Sequence, residues 1–330
     1  MNFPYSTRVA GTGSYLPNNK LTNADIIKRV DTTEDWILDR TGIKTRNVAS
    51  PEETTTDLAY NASLKALEAA SLQAENIDFI IFATVSGDQV MPSSACLLQA
   101  KLGVKNIGAI DISAACTGFI YALSMADQYI KTGMYKNILV VGAEVLTRYV
   151  NYKDRDTCIL FGDGAGAFIC QRDESQESKI YSSHLHASGE LGDLFELPGG
   201  GSKHPFSQDM LDNDLQYMRM KGREVFKNAV RAMNDCCREA LEENNFTEKD
   251  IQWLIPHQAN IRIIETVAKY FEISHEKVVI NIDRTGNTSA ATIPIAFDEA
   301  VRDGRICRSH NVMLAAFGAG ITSGSLLLKF

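Results

Sequence analysis

The sequence of 330 residues lacks the signals of several large classes of protein. It has no apolar run near the roughly 20 residues that cross a membrane. Its amino terminus has no basic segment followed by an apolar one, so no signal peptide is predicted. Positive charge is short, because 33 Lys and Arg face 41 Asp and Glu, a net charge of −8 that disfavours general nucleic-acid binding. We expect a cytoplasmic protein in which any acidic partner meets a local basic patch.

Cysteine spacing disfavours a metal site. The seven cysteines form no C-x-x-C pair, and the adjacent Cys236 and Cys237 have no histidines at zinc-finger spacing, so structural zinc is not expected. Without an export signal the thiols stay reduced, and most of them are predicted to be small apolar core residues.

An internal repeat is the most informative pattern. Three segments of the first half recur in the second half, in the same order and at a nearly constant offset. The pairs are 75–81 with 249–255, 110–112 with 282–283, and 137–143 with 311–318, at offsets of 174, 172 and 174 residues. The repeat predicts a duplicated chain, with one unit over residues 1–180 and the other over residues 181–330.

Each half has the pattern of an α/β fold. Residues 56–70 place apolar side chains at helical spacing, and residues 78–85 form an apolar run typical of a strand buried on both faces. In the second half, an apolar stripe that begins at Val225 predicts a helix to about Leu241. Two α/β halves around buried central helices are therefore predicted.

Residues 189–216 stand apart, because they are rich in Gly, Pro, Asp and Ser and show no sustained period. Loops of this length in compact proteins are usually functional or disordered. The stretch keeps large apolar residues such as Phe195 and Leu197, which favours a functional wall or lid.

Residues 162–167 match the glycine pattern of dinucleotide-binding sites, G-x-G-x-x-A. That pattern has meaning only between a strand and a helix. Here residues 158–161 and 168–170 are both apolar and strand-like. A glycine-rich turn between two strands is therefore predicted, and a nucleotide site is not.

Cys116 differs from the other cysteines in its surroundings. A strand-like segment, residues 110–112, is followed by small residues and then by an apolar helical segment from Thr117. A helix dipole favours the thiolate at such a position, and the amide N–H there is free to bind an oxyanion. On this context alone, a nucleophile and a buried structural cysteine both remain open.

Two polar residues of the second half have comparable settings. His257 follows a strand-like segment, at the strand end where α/β proteins place their chemistry, and Asn287 lies in a similar place. Taken singly, a hydrogen-bonded core histidine and a capping asparagine are the simpler interpretations. Asn287 follows Cys116 by 171 residues, however, so the duplication predicts equivalent positions and a pseudo-twofold axis that brings both to the centre of the protein.

Two further segments are candidates for binding. Arg223, Lys227 and Arg231 are spaced four apart and share one helical face. Such a face is usually only solvated, and a docking site is the alternative in an acidic chain. Residues 317–324 are rich in small residues, which lets backbone N–H groups approach a ligand closely.

Several motifs, taken together, resemble one family. They lie at residues 33–43, 114–119, 161–166, 257–260 and 286–289. Their order and content are similar to those of β-ketoacyl-acyl-carrier-protein synthase III, the initiating condensing enzyme of bacterial fatty acid synthesis in the thiolase-like superfamily. The resemblance covers nearly the whole chain. It implies a duplicated α/β/α/β/α five-layered sandwich with mixed sheets, a homodimer, and no metal or redox cofactor.

The resemblance also implies a reaction. Cys116 would attack the thioester of a short acyl-coenzyme A, most simply acetyl-coenzyme A, and hold the acyl group. Malonyl-acyl-carrier protein would then lose carbon dioxide, while His257 and Asn287 donate hydrogen bonds to the enolate. The carbanion would attack the acyl-cysteine and release 3-ketoacyl-acyl-carrier protein. The amides of Cys116 and Ala319 would form the oxyanion hole.

Binding roles follow from the same resemblance. The residues implied to contact coenzyme A are Thr32, Trp36, Arg40, Arg155, Gly222 and Asn260. Arg262, with Lys227, would meet the acidic carrier protein, and Met91 would reach across the dimer into the partner's acyl pocket. Ser323 and Ala319 depart from residues common in the family, which leaves the acyl specificity open.

Three alternatives stand beside this interpretation. A specialised condensing enzyme of polyketide or alkylquinolone type would keep the fold and use another starter or acceptor. A papain-like cysteine hydrolase also orders its residues Cys, His, Asn, but the duplication and the reduced thiols disfavour it. A non-catalytic relative that binds carrier protein would most simply have lost this set of residues.

Overall fold

The computed structural model describes residues 3–175 and 177–330. Its strands and helices alternate along both halves of the chain. The strands are β1 (Ser6–Tyr15), β2 (Asn19–Thr22), β3 (Thr45–Val48), β4 (Phe79–Ala83), β5 (Gly108–Ile112), β6 (Asn137–Val145), β7 (Asp163–Asp173), β8 (Lys179–Ala187), β9 (Phe195–Glu196), β10 (Arg219–Met220), β11 (Trp253–Pro256), β12 (Asn311–Gly318) and β13 (Thr322–Lys329). The helices are α1 (Asn23–Ile27), α2 (Glu34–Thr41), α3 (Thr55–Ala70), α4 (Ser94–Lys101), α5 (Gly118–Lys131), α6 (Arg155–Cys158), α7 (Gln208–Asp212), α8 (Gly222–Asn244), α9 (Ile261–Tyr270), α10 (Ile282–Thr285) and α11 (Thr292–Arg302).

Two mixed sheets have the same strand order. In the described residues, the first sheet runs β1-β7-β6-β4-β5 and the second runs β8-β13-β12-β11. Each strand of the second sheet therefore has a counterpart in the first. An isolated parallel bridge between Leu254 and Val278 lies where a counterpart of β5 would pair with β11.

The strand register confirms the offset that the sequence predicts. Phe79 pairs with Ile138 between β4 and β6, and Trp253 pairs with Val312 between β11 and β12. Both partners are shifted by 174 residues from one sheet to the other. The predicted duplicated α/β fold is thus confirmed, while the division of the chain at residue 180 stays a prediction.

The helices complete five layers. Helix α3 packs on the outer face of the first sheet against β1, β7 and β6, and α8 packs on the second sheet against β13, β8 and β12. Helices α5 and α11 lie between the two sheets, where their side chains share one apolar core with both. The order is α/β/α/β/α, with the amino termini of α5 and α11 at the centre of the molecule.

Local sequence signals set the ends of the two outer helices. Thr54 caps α3 in a reciprocal arrangement with Asp57, and Ser71 ends it in the left-handed conformation, with φ 55°. Helix α8 ends at Asn245, with φ 53°, three residues beyond the predicted end at Leu241. Asparagine tolerates this conformation because its short polar side chain can hydrogen-bond locally.

The prediction of a glycine-rich turn at residues 162–167 is wrong. Helix α6 and not a strand precedes this segment, and β7 begins at Asp163 and pairs with both β1 and β6. The glycines serve packing, since a Cβ at Gly166 would lie 2.6 Å from the Cβ of Pro294 in α11. The expected absence of a nucleotide-binding strand–glycine–helix unit at this position agrees with the observed strand.

Among the described residues, no helix combines the length and apolar character of a membrane span. The same residues hold no cluster of three or more His, Cys, Asp or Glu side chains suited to a metal ion.

Candidate active site

Cys116 lies at a tight turn between the first sheet and the central helix. Strand β5 ends at Ile112, the residues Ala115–Thr117 form a 3-10 turn, and α5 begins at Gly118. Ala115 adopts the left-handed conformation, with φ 46°, which turns the chain sharply into the helix. The Cys116 side chain is almost fully buried, as the predicted strand–turn–helix arrangement requires.

The second half contains an equivalent turn at Ser289–Ala291, followed by α11. Ser289 has φ 49°, so it matches Ala115 in conformation as well as in the 174-residue offset. The two turns contact each other at the centre of the molecule. Cys116 is therefore equivalent to Ala290, and the predicted equivalence with Asn287 is wrong by three residues. The sequence comparison had no way to detect the left-handed residue that fixes the alignment.

Asn287 is held by its backbone and by one side-chain atom. Its N–H donates to the carbonyl of Leu160 at 2.9 Å, and its carbonyl accepts from Gly162 at 3.0 Å. Its Oδ1 accepts the N–H of Ser289 at 2.8 Å. Because Oδ1 is engaged, the side-chain NH₂ is the group left to donate toward a ligand.

His257 follows β11 directly. Its N–H donates to the carbonyl of Ala315 at 2.7 Å, which extends the pairing of β11 with β12 by one residue. Its Nδ1 lies 2.7 Å from Thr292 Oγ1. Burial lowers the pKa of His257 to about 3, so the imidazole is neutral in the resting protein.

The three predicted catalytic residues line one cavity of about 60 Å³. Its wall also contains apolar residues of both halves, and Gly318 closes it beside Cys116. The lining residues are Cys116, Leu160, Phe161, Phe195, Met220, Gly222, Val225, Phe226, His257, Ala259, Asn260, Ile263, Asn287, Phe317 and Gly318. The structure thus brings Cys116, His257 and Asn287 together.

A second, apolar cavity of about 140 Å³ lies on the other side of Cys116. It is lined by Val85, Ala115, Cys116, Leu146, Tyr149, Phe161, Phe195, Glu196, Leu197, Met218, Ser289 and Ala319. Phe195, Glu196 and Leu197 belong to residues 189–216, so the prediction that this stretch forms a wall is confirmed. Ala319, predicted for the oxyanion hole, lines the same cavity as Cys116.

An open pocket of about 500 Å³ leads from the surface to the central cavity. It shares Leu160, Met220, Gly222, Phe226 and Asn260 with that cavity, which makes the two continuous. Trp36, Arg40 and Arg262 line its outer part. A linear molecule that enters at Trp36 can therefore extend to Cys116.

Two guanidinium groups lie over Trp36. The Arg40 and Arg155 side chains are 5.4 and 4.8 Å from the centre of the indole ring. Such cations favour both the aromatic face and any phosphate brought beside it. Thr32 and Lys227 are not among the residues that line the described channel, and the Thr32 hydroxyl is buried with no hydrogen-bond partner in the described residues.

Two family profiles match the chain. The profile for 3-oxoacyl-[acyl-carrier-protein] synthase III matches residues 110–189, and the profile for its C-terminal part matches residues 241–330. A β-ketoacyl-[acyl-carrier-protein] synthase III of Xanthomonas euvesicatoria is 52% identical over 324 residues, which cover 98% of each chain. The chain belongs to the β-ketoacyl-acyl-carrier-protein synthase III family. It is an acyltransferase, and the papain-like alternative is wrong.

Solved structures agree with this membership. The 3-oxoacyl-[acyl-carrier-protein] synthase III of Aquifex aeolicus superposes with a TM-score of 0.91 at 47% identity, over 98% of this chain and all of the other. The priming β-ketosynthase of the R1128 polyketide pathway superposes with the same TM-score at 32% identity, over 100% and 98% of the chains. The fold predicted from the resemblance is confirmed. Fold likeness does not separate the fatty acid and polyketide members.

Burial opposes the thiolate that the helix position favours in this synthase III family member. It raises the pKa of Cys116 to about 12, with a further contribution from the negative charge of Glu144. The hydroxyl of Ser289 acts in the opposite direction by hydrogen bonding to the sulfur. The resting residue is therefore a thiol, and the expectation of a stable thiolate is wrong for the empty site. Attack on a thioester requires the loss of that proton.

Sequence analysis missed Glu144 at the end of β6. Its carboxylate accepts hydrogen bonds from Thr84 Oγ1 at 3.0 Å, from the Val85 N–H at 3.1 Å and from the Ser86 hydroxyl. Burial raises the pKa of Glu144 to about 7, although the Ser86, Val85, Thr84 and Ser289 donors oppose that shift. A single acid in the apolar strand of residues 137–145 is the sequence signal that marks this residue.

Proposed function

We propose that the enzyme condenses a short acyl-coenzyme A, most simply acetyl-coenzyme A, with malonyl-acyl-carrier protein and releases carbon dioxide and 3-ketoacyl-acyl-carrier protein. The observation that carries this proposal is the channel that runs from Trp36 to Cys116 and ends in a closed apolar cavity of about 140 Å³. Cavities of about 150 Å³ accept a group of benzene size. The starter acyl group is accordingly short.

In the first half-reaction, Cys116 attacks the acyl thioester and coenzyme A leaves. Negative charge develops on the thioester oxygen, where the amides of Cys116 and Ala319 act as the oxyanion hole. The position of Cys116 at the start of α5 supports this role, because the helix amino terminus stabilises negative charge. The second cavity holds the acyl chain behind the sulfur.

In the second half-reaction, the malonyl group occupies the cavity in front of Cys116. Decarboxylation creates a carbon nucleophile without a strong base, and the charge passes to the thioester oxygen as an enolate. Asn287 donates its side-chain NH₂ to that oxygen, and the engagement of its Oδ1 with Ser289 supports this role. His257 is the second donor. The step draws on no metal or redox group, so we propose that coenzyme A enters only as substrate.

Coenzyme A binds at the outer mouth, with its adenine against Trp36 and its phosphates near Arg40 and Arg155. Thr32, Gly222 and Asn260 complete that contact. Carrier protein docks at Arg262 and Lys227, which lie on α9 and α8 near the same opening. Arg262 pairs with the exposed Asp39 at 2.5 Å, so an acidic carrier competes for a guanidinium that is accessible to solvent.

We propose a cytoplasmic homodimer. Strand β5 is at the edge of the first sheet, and its Ile110 is 41% exposed. An uncovered strand edge is a template for pairing with another chain. Val90 and Met91 are 84% and 82% exposed on a nearby loop, and Met91 lines neither cavity beside Cys116 in its own chain. A twofold partner would cover these residues, and each Met91 would reach the acyl cavity of the other chain.

Intact mass spectrometry after brief exposure to acetyl-, isobutyryl- and octanoyl-coenzyme A tests the function. An acetyl adduct that then yields 3-ketoacyl product with malonyl-acyl-carrier protein supports the proposal. A preference for octanoyl-coenzyme A, or condensation only with another acceptor, supports instead a specialised polyketide-type enzyme, which the likeness to the R1128 ketosynthase makes the second candidate. Adducts of no kind would contradict both.

A further inference from the structure

Thr292 makes two hydrogen-bond contacts at the centre of the site. Its Oγ1 lies 2.7 Å from His257 Nδ1 and 2.9 Å from the carbonyl oxygen of Ser289. His257, Thr292 and Ser289 are each only 2% exposed, so water does not compete for these contacts. Both distances are within the range of ordinary hydrogen bonds.

The chemistry of the three groups fixes where the protons are. A carbonyl oxygen only accepts, so the contact with Ser289 requires the single hydroxyl proton of Thr292. The hydroxyl oxygen can then only accept from His257, which places a proton on Nδ1. A neutral imidazole carries one N–H, and Nε2 is therefore unprotonated.

We propose that Thr292 is a positioning residue that holds His257 in the tautomer with its proton on Nδ1, so that Nε2 faces the cavity as a base. The roles that follow rest on the proposed function. A histidine of this kind cannot donate to a thioester oxygen until Nε2 gains a proton. Cys116, a thiol in the same cavity, is the group that has one to give.

One proton then serves both half-reactions. In the first, the Sγ–H bond breaks and the proton moves to Nε2, while the sulfur electron pair forms the new C–S bond and coenzyme A leaves as a thiolate. In the second, the malonyl carboxylate leaves as carbon dioxide, and Nε2–H and Asn287 donate to the enolate oxygen. The enolate carbon attacks the acyl carbonyl, the C–S bond to Cys116 breaks, and the departing thiolate takes the proton back from Nε2.

Charge balances in the same way. The imidazolium is favoured in this buried site only while a negative charge faces it. Coenzyme A thiolate supplies that charge in the first half-reaction, and the malonyl carboxylate and its enolate supply it in the second. The account therefore links proton uptake by His257 to the arrival of an anionic substrate.

Nitrogen-15 NMR of the histidine ring nitrogens tests the proposal without substrate. The wild-type signal of His257, assigned among the six histidines by comparison with His257→Gln, is expected to show a protonated Nδ1 and an unprotonated Nε2. Thr292→Ser keeps the hydroxyl and should keep that tautomer. Thr292→Val removes the hydroxyl at nearly the same volume and should shift the population toward protonated Nε2.

Kinetics give the second readout. The rate of acyl-enzyme formation should fall about a hundredfold in Thr292→Val and little in Thr292→Ser, since general-base catalysis is lost only in the former. A protonated Nε2 in the resting wild-type protein would overturn the proposal even if Thr292→Val does not fold. An unchanged acylation rate in a folded Thr292→Val protein would also overturn it. Absence of acylation in the wild type would instead contradict the proposed function and leave the tautomer result intact.

Discussion

In the first half of the molecule the central turn carries Cys116, whereas the equivalent turn of the second half carries Ala290. The 174-residue offset places His257 opposite Ala83 and Thr292 opposite Gly118. Gly118 and Ala83 are in tight apolar contact, since a Cβ at Gly118 would lie 3.1 Å from the Cβ of Ala83. The equivalent pair in the second half is the hydrogen-bonded His257 and Thr292. The same backbone contact is thus used for packing in one half and for chemistry in the other.

The ends of β6 and β12 differ in a complementary way. Strand β6 carries Glu144, which interacts with Ser289 of the second turn. The equivalent residue in β12 is Gly318, where a Cβ would lie 2.7 Å from the Cys116 nitrogen. One half therefore holds a buried acid beneath its partner's turn, and the other leaves room for the nucleophile's amide. Duplication supplies the frame, and these few differences divide the reaction between the halves.

Cys116→Ala makes the two turns alike and should have the largest effect. Acyl transfer should fall by at least about a thousandfold, because no other group at this position can form the thioester. Intact mass after exposure to acetyl-coenzyme A measures the result. The exposed Cys96 is the matched control, and Cys96→Ser should still acquire the adduct. An acetyl adduct on Cys116→Ala would mean that the nucleophile has been misassigned.

Gly318→Ala gives β12 a side chain where β6 has one. The added methyl group would press on the Cys116 and Thr117 nitrogens, 2.7 and 3.1 Å from the Cβ position. Overpacking of this kind costs about 1–3 kcal/mol of unfolding free energy. Thermal and denaturant unfolding check it, with Gly201→Ala as the control, since a Cβ at Gly201 has no neighbour within 4 Å. Equal stability of the two variants would contradict the close approach.

Arg262→Ala removes the cation that the second half contributes to the mouth, while Trp36 and Arg40 of the first half remain. The KM for malonyl-acyl-carrier protein should rise about three- to tenfold, as expected for a charge at the rim of an interface. The rate of acylation by acetyl-coenzyme A should change little. Arg305, exposed elsewhere and paired with Asp303, provides the control variant Arg305→Ala. If the two variants have the same KM for carrier protein, Arg262 is not a docking residue.

Glu144→Gln should have a small, pH-dependent effect on stability. Since burial raises the pKa of Glu144 to about 7 from 4.5, the folded state holds its proton more tightly than the unfolded state. That contribution to stability is complete below the unfolded pKa and is lost as the pH rises to about 7. The melting temperature of the variant, relative to wild type, should therefore increase between about pH 5 and about pH 8. The exposed Glu75 gives the control Glu75→Gln, and a difference that is the same at both pH values would contradict the raised pKa.

Much of this arrangement could be predicted from local patterns. The strand–turn–helix setting of Cys116 and the strand end at His257 are visible in apolar runs and small residues, and the repeat predicts the duplicated fold. Equivalence of Cys116 and Asn287 was wrong because the true alignment depends on a left-handed residue in each turn, which the sequence does not display. Thr292 and Glu144 were missed because their partners are distant in sequence: Thr292 is 35 residues from His257.

The most direct test of the division between the halves is Asn287→Ala, with both half-reactions measured on one preparation. Asn287 belongs to the second half, and its donor group is assigned only to the enolate. The acetyl-enzyme should form at close to the wild-type rate, while release of carbon dioxide from malonyl-acyl-carrier protein falls about a hundredfold or more, as for the loss of one oxyanion donor. If both rates fall together, the two half-reactions are not divided as the structure indicates, and the account is wrong.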